Sequence, residues 1–287
     1  MDYGQPIRFG VFVIPHILAG KRPLEIAQVA DELGFELVGV QDHPYQRSFY
    51  DTWTLLTAMA MRTERITVFP DVANMQLREP AVLAKAAASL DRLSDGRVEL
   101  GLGAGGFSEA VVAFGGPQLT PGEAVSALEE AIQVIRLVWS AGRNLRFEGT
   151  YHSLRGANAG PPPAHAIGVW LGAYKPRMLE MTGRLADGWM PSYGYVKEAE
   201  LTLGNERIDA AARAAGREAQ SIRRLLNIGP PEEVDAVQLL TGLALEHGID
   251  TFIVGEGGED PRAHLTAFMR EVIPRVRDNV AEARARR

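Results

Sequence analysis

Apolar runs of four to seven residues alternate with longer stretches in which apolar residues recur at helical spacing, and this rhythm begins at residue 8. Residues 8–14 predict the first strand. A helix is predicted from Pro23: proline is tolerated in a first turn, Leu24, Ala27, Val29, Ala30 and Leu33 make an apolar stripe, and Gly34 supplies the stop. The stretch Glu36-Leu-Val-Gly-Val-Gln-Asp-His-Pro-Tyr45 follows. It is a valine-rich run of the kind covered on both faces in a parallel sheet, and it delivers Asp42 and His43 at its end. Residues 51–63 predict a helix with Asp51 as N-cap, 66–70 a third strand, 80–93 a helix, and 97–103 a fourth strand running into Ala104-Gly-Gly106. Repeated strand–helix units of this kind imply right-handed crossovers and a parallel sheet.

Thr120 or Pro121 opens a long helix over residues 123–139, and then the rhythm breaks. Residues 141–166 are rich in Gly and Pro and contain the hairpin-like Leu145-Arg-Phe-Glu-Gly-Thr-Tyr-His152, which reads as a covering insertion rather than a linker. Strands are predicted again at 167–171, 188–190, 224–228 and 251–254, with helices at 176–185, 197–215, 231–247 and 261–282. About eight units result, the number that closes a barrel. The expected fold is α/β, a single (β/α)8 TIM barrel over residues 1–287 with an insertion at 141–166.

Composition narrows the function. The 287 residues suit one barrel, and the absence of cysteine removes disulfides, thiolate nucleophiles and cysteine metal sites together. A net charge of −6 argues against a nucleic-acid partner, and Arg284-Ala-Arg-Arg287 reads as a solvated helix end. No basic region leads a hydrophobic segment at the N-terminus, and no apolar run is long enough to span a bilayer, so neither a signal peptide nor a membrane partner is expected. The expected compartment is the cytoplasm.

Barrel active sites form where the strands end. His43 is a candidate general acid/base or hydrogen-bond donor, since imidazole titrates near neutrality; a purely structural histidine is the other reading. His16 is a weaker candidate by the same position. Asp42 points to the opposite face of an extended chain from His43, so it is expected to fix a neighbouring loop. Gly101-Leu-Gly-Ala-Gly-Gly106 matches G-x-G-x-x-G, yet it follows a fourth strand and precedes a loop, so it suits close approach of a flat ligand better than a dinucleotide site. In Leu171-Gly-Ala-Tyr-Lys-Pro-Arg177, Pro176 opens a helix whose amides, with Lys175 or Arg177, suit a phosphate; a plain turn with solvated basic residues suits the same sequence. Histidine spacing gives no metal motif, and no Gly-x-Ser-x-Gly elbow is present. Phe107, Phe114, Trp139 and Tyr151 are candidates for an apolar pocket or for the core.

Several segments together resemble the luciferase-like family of flavin and deazaflavin oxidoreductases: Gly39-Val-Gln-Asp-His-Pro44, Arg78-Glu-Pro-Ala-Val-Leu-Ala-Lys85, Leu93-Ser-Asp-Gly-Arg-Val-Glu-Leu-Gly-Leu-Gly103, Trp170-Leu-Gly-Ala and Gly183-Arg-Leu-Ala-Asp-Gly-Trp189. The resemblance implies an oxidoreductase with the ring of FMN or of the deazaflavin coenzyme F-420 at the strand ends, acting on a small organic substrate by monooxygenation or hydride transfer. It places His43 as the catalytic residue near the ring edge. It also implies cofactor contacts from Asp42, from Asp71, Val72, Ala73 and Asn74, from Ala104, Gly105 and Gly106, from Gly172, Ala173, Tyr174 and Lys175, and from Ser192. Asp71-Val72 falls where members carry a non-prolyl cis peptide, whereas Gly106 replaces a glutamate of the sugar-phosphate enzymes. A homodimer and a separate flavin or deazaflavin reductase are implied partners. Two other classes stay open: a barrel that binds the cofactor without turnover, and a hydrolase or aldolase using Asp42 and His43 with a metal.

Overall fold

Runs such as Leu37-Val-Gly-Val40 are apolar at every position, which leaves burial on both faces as their stable use. The computed structural model describes residues 1–229 and 235–286. Its strands are β1 (Arg8–Val13), β2 (Leu37–Val40), β3 (Thr67–Pro70), β4 (Ala73–Asn74), β5 (Leu100–Gly103), β6 (Leu145–Glu148), β7 (Ser153–Ala157), β8 (Val169–Leu171), β9 (Gly188–Trp189), β10 (Arg223–Ile228) and β11 (Thr251–Gly255). The α-helices are α1 (Arg22–Leu33), α2 (Thr52–Ala60), α3 (Pro80–Leu93), α4 (Ser108–Ala113), α5 (Pro121–Trp139), α6 (Pro176–Leu185), α7 (Glu198–Ala214), α8 (Ala236–His247), α9 (Pro261–Ala267) and α10 (Ile273–Ala285).

Nine strands pair in the order β3-β2-β1-β11-β10-β9-β8-β5-β4, and their pairings are parallel. β3 and β4 are two halves of one stave, separated by the cis peptide Asp71-Val72. A parallel bridge between Val68 and Val98 joins the ends of the sheet. The result is a (β/α)8 barrel of eight staves, as the sequence rhythm predicts.

Alternation along the strands sorts the core into two layers. Phe9, Val11 and Val13 face outward into the shell beneath the helices. Inside the barrel, Leu37, Phe69, Trp170, Met190, Leu225 and Ile253 pack together, with Phe12 and Val72 against them. Glycines make room for these large side chains. A Cβ on Gly101 would lie 2.2 Å from the Pro70 carbonyl oxygen, and one on Gly188 would lie 2.5 Å from Trp170.

The structure departs from the sequence reading in four places. The helix expected over 261–282 is divided by a π-helical turn at Phe268–Val272. Pro274 has no N–H for the α-helical ladder, and the wider turn absorbs the missing bond. The expected helix start at Pro231 lies outside the described residues; α8 is capped by the Asp235 side chain, which accepts from Val237 and Gln238 N–H groups. In the insertion β6 and β7 do form an antiparallel hairpin, but the second strand begins only at Ser153. Residues 149–152 are the turn, and the Glu130 carboxylate of α5 accepts the N–H groups of Thr150, Tyr151 and His152 at 2.8, 2.8 and 3.0 Å. Finally, the loop expected after residue 104 contains the short α4.

Candidate active site

The C-terminal ends of the staves enclose a cavity of about 590 Å³, within the size range of small-molecule and cofactor sites. β2 delivers the first pair of side chains to it. Asp42 is buried and accepts the Asn74 backbone N–H at 3.0 Å. It also accepts Arg78 Nε at 3.2 Å and Nη2 at 2.9 Å, so it locks the start of α3 and the β4 turn to the end of β2. His43, the more exposed of the two, lines the same cavity. Tyr45, Phe49 and Phe107 surround its ring at centroid distances of 5.5, 6.4 and 5.5 Å, and its Nδ1 lies 2.8 Å from the Tyr45 hydroxyl. Burial lowers the His43 pKa, against the opposing charge of Asp42, so the imidazole is neutral at neutral pH.

The break in the third stave makes the floor. Asp71 accepts from Asn227 Nδ2 at 2.9 Å through one oxygen, while its other oxygen has no partner among the described residues. Burial pushes this carboxyl up to about 7, with the Asn227 hydrogen bond opposing. Val72 fills the space that a side chain at Gly103 would occupy, 2.7 Å from the position of the missing Cβ, whereas a Cβ at Gly172 would touch it in ordinary contact at 3.4 Å. Asn74 Oδ1 accepts the Gln76 backbone N–H at 3.1 Å, and Gln76 Nε2 donates to the carbonyl oxygens of Ala104 at 2.6 Å and Gly105 at 3.3 Å. Gly105 has φ +87°, and a Cβ there would meet Gln76 at 2.6 Å, so two constraints call for glycine. A Cβ at Gly106 would meet nothing.

On the far wall the Ser192 N–H donates to the Tyr174 hydroxyl at 3.1 Å, tying two rim loops together. Lys175 lines the cavity at the N-terminus of α6. Arg177 does not join it: its guanidinium donates to Gly122 O and Ser126 Oγ of α5, both at 2.7 Å. Ala173 also departs from its expected place. It is fully buried in the helix-facing core, and its carbonyl accepts from the Trp189 indole at 2.9 Å. His16 stands outside the cavity, where Nδ1 accepts the Leu18 N–H at 3.2 Å and caps a short turn.

The cavity therefore gathers Asp42, His43, Asp71, Val72, Ala73, Asn74, Ala104, Gly105, Gly106, Gly172, Tyr174, Lys175 and Ser192. Phe107 joins them; Phe114 and Tyr151 line an adjoining cleft, while Trp139 is packed against the core with its indole on Ala84 O. Sequence reasoning gave no role to Tyr45, Gln76 or Asn227. Tyr45 carries a weak signal, as an aromatic hydroxyl two residues beyond His43, whereas Asn227 meets Asp71 across 156 positions of chain.

The residues fit a flat heterocycle. Val72 presents an apolar platform, the position beside Gly106 is open, and Gln76 Oε1 and Asp71 Oδ2 are buried polar atoms without protein partners among the described residues. A heterocycle edge that carries both hydrogen-bond donors and acceptors is what such buried atoms require. Among the described residues no group of three or more His, Asp or Glu side chains is arranged to hold a metal. No described helix is long and apolar enough to cross a membrane.

Fold and site together define a TIM barrel with a cofactor-sized rim cavity built on a broken third stave. Residues 7–230 match the family described as luciferase-like monooxygenase, and the chain belongs to that family. It is 31% identical over 219 residues to an F-420-dependent glucose-6-phosphate dehydrogenase of Mycolicibacterium fortuitum, covering 73% of this chain and 64% of that one. It is 28% identical over 211 residues to a 5,10-methylenetetrahydromethanopterin reductase of Archaeoglobus fulgidus, covering 74% of this chain; the match spans only 60% of that reductase's length. Among solved structures, an F-420-dependent secondary alcohol dehydrogenase in complex with an F-420–acetone adduct superposes with a TM-score of 0.84 at 20% identity, over 95% of this chain and 99% of that one.

Proposed function

We propose that this protein is an oxidoreductase that holds the ring of a deazaflavin coenzyme on the Val72 platform and passes hydride between it and a small organic substrate lying against His43. The observation that carries this reading is the juxtaposition of a neutral, half-buried imidazole with a flat, glycine-edged floor in one cavity. Curated relatives named for coenzyme F-420 favour the deazaflavin over FMN. When bound, the ring supplies hydride chemistry, and the protein orients it. Gly106 and Gly172 leave room for the ring edge, Asn74 and Gln76 fix the loop beside it, and Lys175 with the first amides of α6 offers a place for the coenzyme phosphate. His43 meets the substrate oxygen.

The hydrolase or aldolase reading loses its acid, because both Asp42 oxygens are already committed to Arg78 and Asn74. The proposal includes a cytoplasmic homodimer supplied with reduced coenzyme by a separate reductase. Val82 and Leu93 support the dimer: they are exposed, and their spacing of eleven puts them on one stripe of α3. Titration of purified protein with coenzyme F-420 and with FMN, followed by ring fluorescence, tests the reading. Saturable binding of the deazaflavin supports it, binding of FMN alone moves the assignment to flavin-dependent monooxygenation, and binding of neither overturns it.

A further inference from the structure

The insertion at 141–166 and the loop that carries α4 border a cleft of about 800 Å³ that hydride transfer at the rim cavity leaves without a role. Its base is apolar, with Met75, Ala127 and Leu128 buried there. One wall is the end of α4, where Phe114 stands 58% exposed, and another is the hairpin turn with Tyr151 and His152. Both walls are firmly held. The Glu130 carboxylate takes three successive N–H groups of the turn, charge-assisted bonds of the stronger kind. A Cβ on Gly149 would run into that carboxylate, which the three bonds keep in place. At the end of α4 the Gly116 N–H donates to the Val111 carbonyl at 2.9 Å, and a Cβ on Gly116 would collide with Val111 and Leu77. A large apolar side chain held in water beside a concave apolar surface marks a binding site.

The cleft opens into the cavity of the active site. Gln76, Ala104, Leu119 and Ala124 line both, and the two alanines put only methyl groups at the junction. Pro44, the chain neighbour of His43, lines the cleft as well. Charge decides what can lie there. Among the described residues lining the cleft, Arg78 is the one lysine or arginine, and Asp42 and Asp51 already hold it. His152 sits beside the Glu130 carboxylate, and Asp51 and Glu79 make the edge acidic. A phosphate or carboxylate would find no free cation, whereas an uncharged apolar group gains by leaving water.

We infer that this cleft is an outer substrate subsite, walled by α4 and the Glu130-anchored hairpin turn, and that the substrate carries an uncharged apolar substituent that lies there while its reacting end lies against His43. The substrate assignment rests on the oxidoreductase reading above; the apolar site itself does not. Glu130 is a positioning residue of this subsite, acting through Tyr151 and His152.

The test is equilibrium dialysis of the full chain against N-phenyl-1-naphthylamine, an uncharged apolar probe, with and without saturating coenzyme F-420. One saturable site is expected, undisturbed by excess glucose 6-phosphate. Phe114→Glu, a change at an exposed position, and Ala127→Phe, which fills the base of the cleft, should each weaken probe binding at least about tenfold. Glu130→Ala should weaken it too, and Glu130→Gln, which still accepts N–H groups, should recover most of the affinity. Saturating coenzyme should change probe affinity by less than about threefold, because ring and substituent occupy different spaces. No saturable binding, or binding unchanged in both Phe114→Glu and Ala127→Phe, overturns the inference. A dimer that dissociates in Phe114→Glu on sedimentation overturns it as well, since a second copy would then cover the cleft. Mutual exclusion of probe and coenzyme would overturn the substrate assignment, because the probe would be lying in the place of the ring. A wild type that binds the probe but neither F-420 nor FMN would refute the oxidoreductase reading, and the substrate assignment with it, while the apolar site would stand.

Discussion

Asp71→Asn should stabilise the protein, and increasingly so as the pH rises. Asp71 is buried at the cavity floor with one oxygen unpartnered, and its pKa is raised from 3.8 to about 7 by burial. Between those values the folded state keeps a proton that the unfolded chain has released, so stability falls as pH rises through this window and is level above it. At 1.36 kcal/mol per unit, the penalty is about 1.5 kcal/mol at pH 5 and about 4 kcal/mol at pH 8. Asparagine has the same shape, can still accept from Asn227, and carries no charge. Urea unfolding of both proteins at pH 5 and pH 8, without coenzyme, should show the advantage of the variant growing by about 2.5 kcal/mol between the two. An advantage that does not change with pH, or a variant less stable than wild type at pH 8, would refute the argument that burial holds this carboxyl protonated.

Three further outcomes follow from the packing. Asp42→Ala leaves the largely buried Arg78 with only its longer, exposed contact to Asp51 at 3.3 Å and should cost about 2 kcal/mol, read by urea unfolding, with weakened coenzyme binding because Asn74 loses its anchor. Gly101→Ala places a methyl 2.2 Å from a backbone carbonyl inside the barrel and should cost at least about 2 kcal/mol, a loss measurable as a drop in Tm; an unchanged Tm would show that the interior is not closely packed there. His165 has a raised pKa, from the Glu99 carboxylate at 3.9 Å and from Asp91, which it meets at 2.8 Å, so its contribution is complete below the unfolded pKa and is lost as pH rises through the folded one. His165→Gln should therefore destabilise at pH 5 more than at pH 8, by a small amount because the side chain is about one-third exposed.

The barrel was legible because each stave carries its own apolar run and each helix its own stripe and stop. α3 and α6 run over the residues their patterns predict, and Thr120 opens α5 with a capping box. The break in the third stave was legible only as a resemblance, since nothing in Pro70-Asp-Val-Ala73 distinguishes a cis peptide by composition. The π-helical turn was missed although Pro274 marks it, because the apolar stripe continues through the proline. The site was legible where it depends on strand ends and opaque where it depends on pairing across the barrel. Asp42 and His43 could be placed at the cavity from the end of one apolar run, but Asp42 with Arg78 and Asp71 with Asn227 are choices of partner made by the fold. Ala173 was misplaced for a local reason: next to Gly172, its side chain alternates away from the cavity into the helix layer.

The central claim is that the cavity above Val72 seats a deazaflavin ring beside His43. Fluorescence titration of the purified chain with coenzyme F-420, repeated on Gly172→Val and His43→Gln, addresses it most directly. The account predicts one saturable site per chain, strong weakening in Gly172→Val, whose branched side chain would take up space in the cavity wall beside Val72, and near-normal affinity in His43→Gln. Binding that survives Gly172→Val undiminished would put the ring elsewhere and contradict the account.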